Sequence, residues 1–199
     1  MNFRNTIPAA LLLGTLAAPV FAQGTPSPQA AQDAAINARE QQRIDAGLKS
    51  GQLSTEEAAR LEKQQSHIEQ QEQRDMKNGA PTPAEQARIH QQQEQASKDI
   101  HEYKNDAVHG NPNAESSQRL QSDIQRNASQ QQRISNGLQS GALNNREAGS
   151  LEHGQADSNR LEEHAAANGH VNAHQQAEIS RSETHQSQNI HAKKQSGQR

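Results

Sequence analysis

Gln41-Gln-Arg-Ile44-Asp-Ala-Gly47-Leu-Lys-Ser-Gly51-Gln-Leu53-Ser54-Thr-Glu-Glu57-Ala58 returns as Gln131-Gln-Arg-Ile134-Ser-Asn-Gly137-Leu-Gln-Ser-Gly141-Ala-Leu143-Asn144-Asn-Arg-Glu147-Ala148. The correspondence runs without a gap over residues 37 to 108 laid on 127 to 198, through Leu61-Glu62, Asn78-Gly79, Gln86-Ala87-x-Ile89 and Ile100-His101. A fixed offset over that length is the mark of one supersecondary unit duplicated. What repeats is helix punctuation and apolar spacing, and none of it is a reaction centre.

The punctuation is legible. Ser54-x-x-Glu57 and Thr82-Pro83-x-Glu85 are capping boxes, the second with Pro at the first helical position, where its missing N–H is harmless. Asn144-x-x-Glu147 and Asn172-x-x-Gln175 repeat both in altered letters. Gly51, Gly79, Gly141 and Gly169 precede the four caps at equal distance and read as helix stops. The spacing predicts helices over 30–49, 54–77, 82–107, 115–139, 144–167 and 172–193, as Ala, Gln, Glu, Arg and Leu abound and β-branched residues are scarce.

The expected fold is therefore all-α, two tandem copies of a three-helix antiparallel hairpin unit, with the first unit at 30–108, a linker at 109–114 and the second unit at 115–194. A flexible lead at 23–29 and a flexible tail at 195–199 flank them. On the second helix Ala58, Leu61, Ile68 and Met76 share a face, and on the third Ile89, Ala96, Ile100, Tyr103 and Ala107 alternate by threes and fours. Polar residues interrupt the same seams: Gln65 and Glu72 lie on the second helix's stripe and recur as Gln155 and Glu162. With hydrophobic residues at 30% and aromatics at 2%, a thin core is expected.

Met1 to Ala22 has Arg4 as its only charge, an apolar run and small residues before Gln23, the pattern of a signal peptide cut near Ala22/Gln23. This predicts a periplasmic or secreted protein, with no integral membrane segment in the mature chain. The chain has no Cys, so no disulfide can staple the fold. A formal net charge of −3 provides no electrostatic reason to bind nucleic acid.

The run Ile44-Asp-x-Gly47-Leu-x-Ser-Gly51-x-Leu53-Ser-x-Glu-Glu57-Ala-x-x-Leu61-Glu62, with Asn78-Gly79-x-x-Thr82-Pro83-x-Glu85-x-x-x-Ile89 and Ser97-x-Asp-Ile100, resembles uncharacterised exported helical-repeat proteins of Gram-negative proteobacteria. That resemblance implies a periplasmic location and nothing chemical. Asn78-Gly79-x-Pro81-Thr82-x-x-Glu85 and Ser50-Gly51-x-Leu53-Ser54-x-x-Glu57 also resemble the back half of an EF-hand loop. Arg74 and Met76, or Ala46 and Leu48, stand where the carboxylate ligands belong, so calcium binding is not expected.

Ten histidines leave one candidate site. His164 would close one helix while His170 and His174 bracket the start of the next, so the three could converge around Asn168-Gly169 and offer imidazoles to Zn²⁺ or Cu²⁺. In the first copy those positions are Arg74, Ala80 and Ala84, so such a site belongs to one copy only. His101 and His191, each after an Ile, are expected to edge the packed face. No nucleophile elbow, HExxH pattern or Gly-rich phosphate loop is present, and adjacent Glu pairs on a helix face different ways. The expected role is that of a non-enzymatic structural or interaction protein whose partner is itself or another envelope protein. The alternative is a low-affinity Zn/Cu-binding or pH-responsive envelope stress protein using its C-terminal histidines.

Overall fold

The computed structural model describes residues 25 to 197, and the expected leader at 1–22 lies outside them. Six helices and no strand occur among the described residues: α1 Pro28–Ser50, α2 Thr55–Met76, α3 Pro83–Asn105, α4 Glu115–Gln139, α5 Asn145–Ala166 and α6 Ala173–Ser196. The all-α expectation holds. Each of the four expected capping boxes is closed in both directions, at Ser54/Glu57, Thr82/Glu85, Asn144/Glu147 and Asn172/Gln175.

The repeated Gly-Leu-x-Ser-Gly-x-Leu motif is a helix stop whose every letter has a structural reason. Gly51 and Gly141 both take φ 74°, a left-handed turn that costs glycine least. Ser50 Oγ donates to the Gly47 carbonyl at 3.1 Å and Ser140 Oγ to that of Gly137 at 3.2 Å. Leu53 and Leu143 then fold back over the last helical turn. A Cβ at Gly47 would lie 2.6 Å from Leu53 Cδ1, and one at Gly137 2.5 Å from Leu143 Cδ1.

The two copies do not stand as separate bundles. The most extensive packing is between copies, α1 along α4 and α2 along α5, while α1 and α2 of one copy meet far less. Both pairs run antiparallel. Ser135 Oγ, near the end of α4, donates to the Ala31 carbonyl near the start of α1, and Gly149 at the start of α5 packs on Met76 at the end of α2. Ser66 Oγ donates to the Ala156 carbonyl at 2.9 Å; these two residues are equivalent under the repeat, so a local two-fold axis passes beside them.

The hydrophobic core follows that symmetry. One cluster joins Ile44, Leu48, Leu53, Ala58, Leu61 and Ile100 of the first copy to Leu120, Ile124 and Ala166 of the second. The other joins Ile134, Leu138, Leu143, Ala148, Leu151 and Ile190 of the second copy to Ala30, Ala34 and Met76 of the first. Each lies at one end of the molecule and is the other's repeat equivalent. The core is thus split in two, with a polar midsection between, and each half draws on both copies instead of on one unit.

The lead, the linker and the tail pack against the helices, and the ends of α1, α3 and α6 differ from the expectation. The lead at 23–29 is anchored from Thr25: Ser27 is buried, its N–H donates to Asn145 Oδ1 at 2.7 Å, and α1 already begins at Pro28. The linker is docked as well, with the Gly110 N–H on the Gly51 carbonyl at 3.0 Å. The tail continues α6 to Ser196, and Gly197 sits so close to the Ala142 carbonyl that a Cβ would approach to 2.4 Å. Ala107 lies beyond the end of α3 and is exposed, because the helix stops at Asn105.

Candidate functional site

The midsection is a belt of buried acids and amides. The inward faces of α1 and α4 carry Asp33, Asn37, Glu40 and Gln41, and Asp123, Asn127, Gln130 and Gln131; those of α2 and α5 carry Glu62, Gln65, Glu69 and Glu72, and Glu152, Gln155, Asn159 and Glu162. All are 3% exposed or less. They recur at three- and four-residue steps in line with Leu61, Ile68 and Leu151, so the helical period that buries the apolar ends buries the polar middle too.

The bonding repeats between copies. Asn37 Nδ2 donates to both oxygens of Glu72 at 3.0 and 2.9 Å, and Asn127 Nδ2 to both of Glu162 at 2.8 and 3.0 Å. Gln41 Nε2 donates to Glu62 Oε2 at 2.9 Å, and Gln131 Nε2 to Glu152 Oε2 at 2.7 Å. At the centre the symmetry breaks usefully. Glu69 and its repeat equivalent Asn159 face each other, with Asn159 Nδ2 donating to Glu69 Oε2 at 2.8 Å and Gln131 Nε2 to Oε1 at 2.8 Å. Two glutamates there would oppose like charges, whereas an amide supplies a donor.

Cations are scarce around these acids. Among the described residues no Lys, Arg or His is buried. From α4, Arg126 reaches Glu183 of α6 at 2.7 Å; from α3, His90 stands 3.9 Å from Asp33 and Arg88 3.9 Å from Asp75; Arg39 and Arg43 of α1 lie near Glu40. Burial is accordingly the dominant influence. It pushes Glu62, Glu152 and Glu183 up to about 8, Glu40 to about 7, and Asp33 and Asp123 to about 6. Glu69, Glu72 and Glu162 are raised well above the ordinary carboxyl range, first by burial and next by neighbouring carboxylates. The bonds of Gln41, Gln131, Asn37 and Asn127 oppose these shifts without cancelling them.

Geometry points the same way independently. Among the described residues, every buried side-chain polar atom without a hydrogen-bond partner is an oxygen, including Glu62 Oε1, Gln41 Oε1, Gln131 Oε1 and both oxygens of Asp33. The belt is short of donors, and protonated carboxyl groups would supply them.

His164, His170 and His174 are all exposed, and no group of three or more His, Asp or Glu side chains among the described residues is arranged to hold a metal ion. His164 Nδ1 lies 3.5 Å from Glu163 and His174 Nδ1 3.8 Å from Glu178, each engaged locally. All ten histidines are exposed, His101 and His191 among them. The half-loops that resemble an EF-hand are occupied as caps: Glu57 accepts from the N–H and hydroxyl of Ser54 at 2.9 and 2.8 Å, and Glu85 from those of Thr82 at 2.7 and 2.8 Å. In the sequence the belt shows as polar letters kept between the copies, Gln41 as Gln131, Glu62 as Glu152, and Gln65 and Glu72 as Gln155 and Glu162 on an otherwise apolar stripe. Comparison with protein-family models, with curated proteins and with solved structures finds no match to this chain.

Proposed function

We propose that this chain is a non-enzymatic, exported interaction protein whose assembly follows pH, closed in acid and loosened toward neutral and alkaline pH. The observation that carries the reading is the burial of Glu62, Glu69, Glu72, Glu152 and Glu162 with no buried cation beside them among the described residues. Groups this deeply enclosed cannot meet a solute, so their chemistry is exchange of protons with the folding equilibrium. The folded chain keeps protons that the unfolded chain releases above about pH 4.5; the stability they confer is whole below that value and is lost as pH rises to about 8. The pH response expected of the C-terminal histidines is thereby reassigned to the core. The periplasm or the exterior is the compartment this reading requires, because an exported protein meets ambient pH directly.

Urea unfolding of the mature chain, followed by circular dichroism from pH 4.5 to 8.5, tests it. The midpoint should fall steadily as pH rises, with a limiting slope of about 1.4 kcal/mol per pH unit for each proton released on unfolding. A midpoint that is flat, or that rises between pH 5 and 8, overturns the reading.

A further inference from the structure

The surface by which one copy grips the other can take a second occupant. Each apolar cluster is completed only by residues from both copies, and the bond from Ser66 to Ala156 joins equivalent positions across the local two-fold axis. Part of the repulsion among the acids crosses that boundary, Glu62 against Asp123 and Glu162, and Glu152 against Glu69, Glu72 and Asp33, beside within-copy repulsion such as Glu69 against Glu62 and Glu162 against Glu183. Losing protons from the cross-boundary pairs therefore weakens the hold of one copy on the other, where among the described residues only the amides of Gln131 and Asn159 on Glu69 bridge the belt, while the Asn37–Glu72 and Asn127–Glu162 bonds lie within one copy. A single covalent path connects the copies, from the end of α3 at Asn105 to the start of α4 at Glu115. Among the described residues only Val108 and Leu161 are large apolar side chains exposed on the closed chain, so its outer surface offers little else for a partner.

We propose that the copy-to-copy surface is a docking surface for the matching unit of a second chain, so that two chains exchange their three-helix units and rebuild both apolar clusters and the belt between molecules. The proposal rests on the pH-dependent opening described above for when it happens, and on the duplication for what docks. The incoming α4–α6 unit has the same residues as the one it replaces, so the dimer restores all the packing that opening breaks, as in domain swapping. The exchanged dimer adds no interface beyond that of the closed monomer, so its population is set by concentration and by how readily the monomer opens.

The test uses the full mature chain, which has no cysteine of its own, in the double variant Ser66→Cys, Ala156→Cys, and the unsubstituted chain in normal and heavy-isotope forms. Both are incubated concentrated at pH 8 and at pH 5, returned to acid, and read by non-reducing gel and by native mass spectrometry. Exchange predicts mixed-mass dimers about tenfold more abundant after pH 8 than after pH 5, and, when all samples are kept reduced until they are oxidised together under one common condition, an interchain 66–156 disulfide in the same proportion. Monomer alone at every pH and concentration, or dimers whose disulfide is wholly intrachain, overturns it. Mixed dimers with an interchain bond formed equally at both pH values uphold exchange and refute the pH reading instead. Should the cysteine variant fail to fold, the isotope-mixing arm decides alone: mixed-mass dimers that form when the two isotope forms are incubated together at pH 8, and not when they are mixed after return to acid, uphold exchange, and mixed dimers formed equally on mixing in acid, or none at all, overturn it.

Discussion

Replacing Glu62 by Gln isolates one proton of the belt. Glu62 is fully buried, accepts from Gln41 Nε2 at 2.9 Å through one oxygen, and leaves the other without a partner, as is Gln41 Oε1. The amide introduced by Glu62→Gln has nearly the same shape as a protonated glutamic acid and brings a permanent N–H donor to that unmet pair. Burial raises Glu62 from 4.5 to about 8. Keeping its proton in the folded chain then costs on the order of 3 kcal/mol at pH 7 and well under about 1 kcal/mol at pH 4.5. The variant should match the parent within about 1 kcal/mol at pH 4.5, exceed its stability by about 3 kcal/mol at pH 7, and show a pH slope shallower by one proton. Urea titrations at pH 4.5, 6 and 7.5, checked for an unchanged m-value, measure this. If Glu62→Gln destabilises the chain equally at all three pH values, Glu62 is ionised in the fold and the account of the belt is wrong.

Ser54→Ala and Asn144→Ala each remove one side of a closed capping box and should cost about 1 kcal/mol, while Thr55→Ala, one position inside α2, should cost much less; thermal melts rank them. Gly47→Ala and Gly137→Ala should destabilise by about 1–3 kcal/mol despite alanine's better helix propensity, because the new methyl group meets Leu53 or Leu143. Stabilisation by either alanine would show that the leucine does not fold back over the helix end.

Helix starts and stops are legible in the sequence because their causes are local. A cap needs only residues three apart, and the Gly-x-Leu stop repeats with its reason intact. What each helix packs against is not legible, since a duplication says that two units are alike and not that α1 seeks α4. Gln65 and Glu72 stand out as interruptions of an apolar stripe, yet whether a polar residue on a stripe marks a weak seam or a buried network depends on partners elsewhere in the chain. Asn37 lies on another helix, and Glu69 finds Asn159 in the other copy. Ser27 reads as part of a lead because its anchor, Asn145, is far along the sequence. The histidine cluster fails to form for a simpler reason: the turn at Asn168-Gly169 leaves His164, His170 and His174 all facing solvent.

Proton uptake on folding tests the central claim most directly. Mature chain unfolded in urea and diluted into a weakly buffered solution at pH 7 with an indicator dye should take up about three protons or more per molecule, since Glu62, Glu152 and Glu183 alone are held near 8. Uptake should diminish toward pH 4.5, where the unfolded chain is half protonated already. Folding at pH 7 with no uptake, or with release of protons, would contradict a belt that carries its acids neutral.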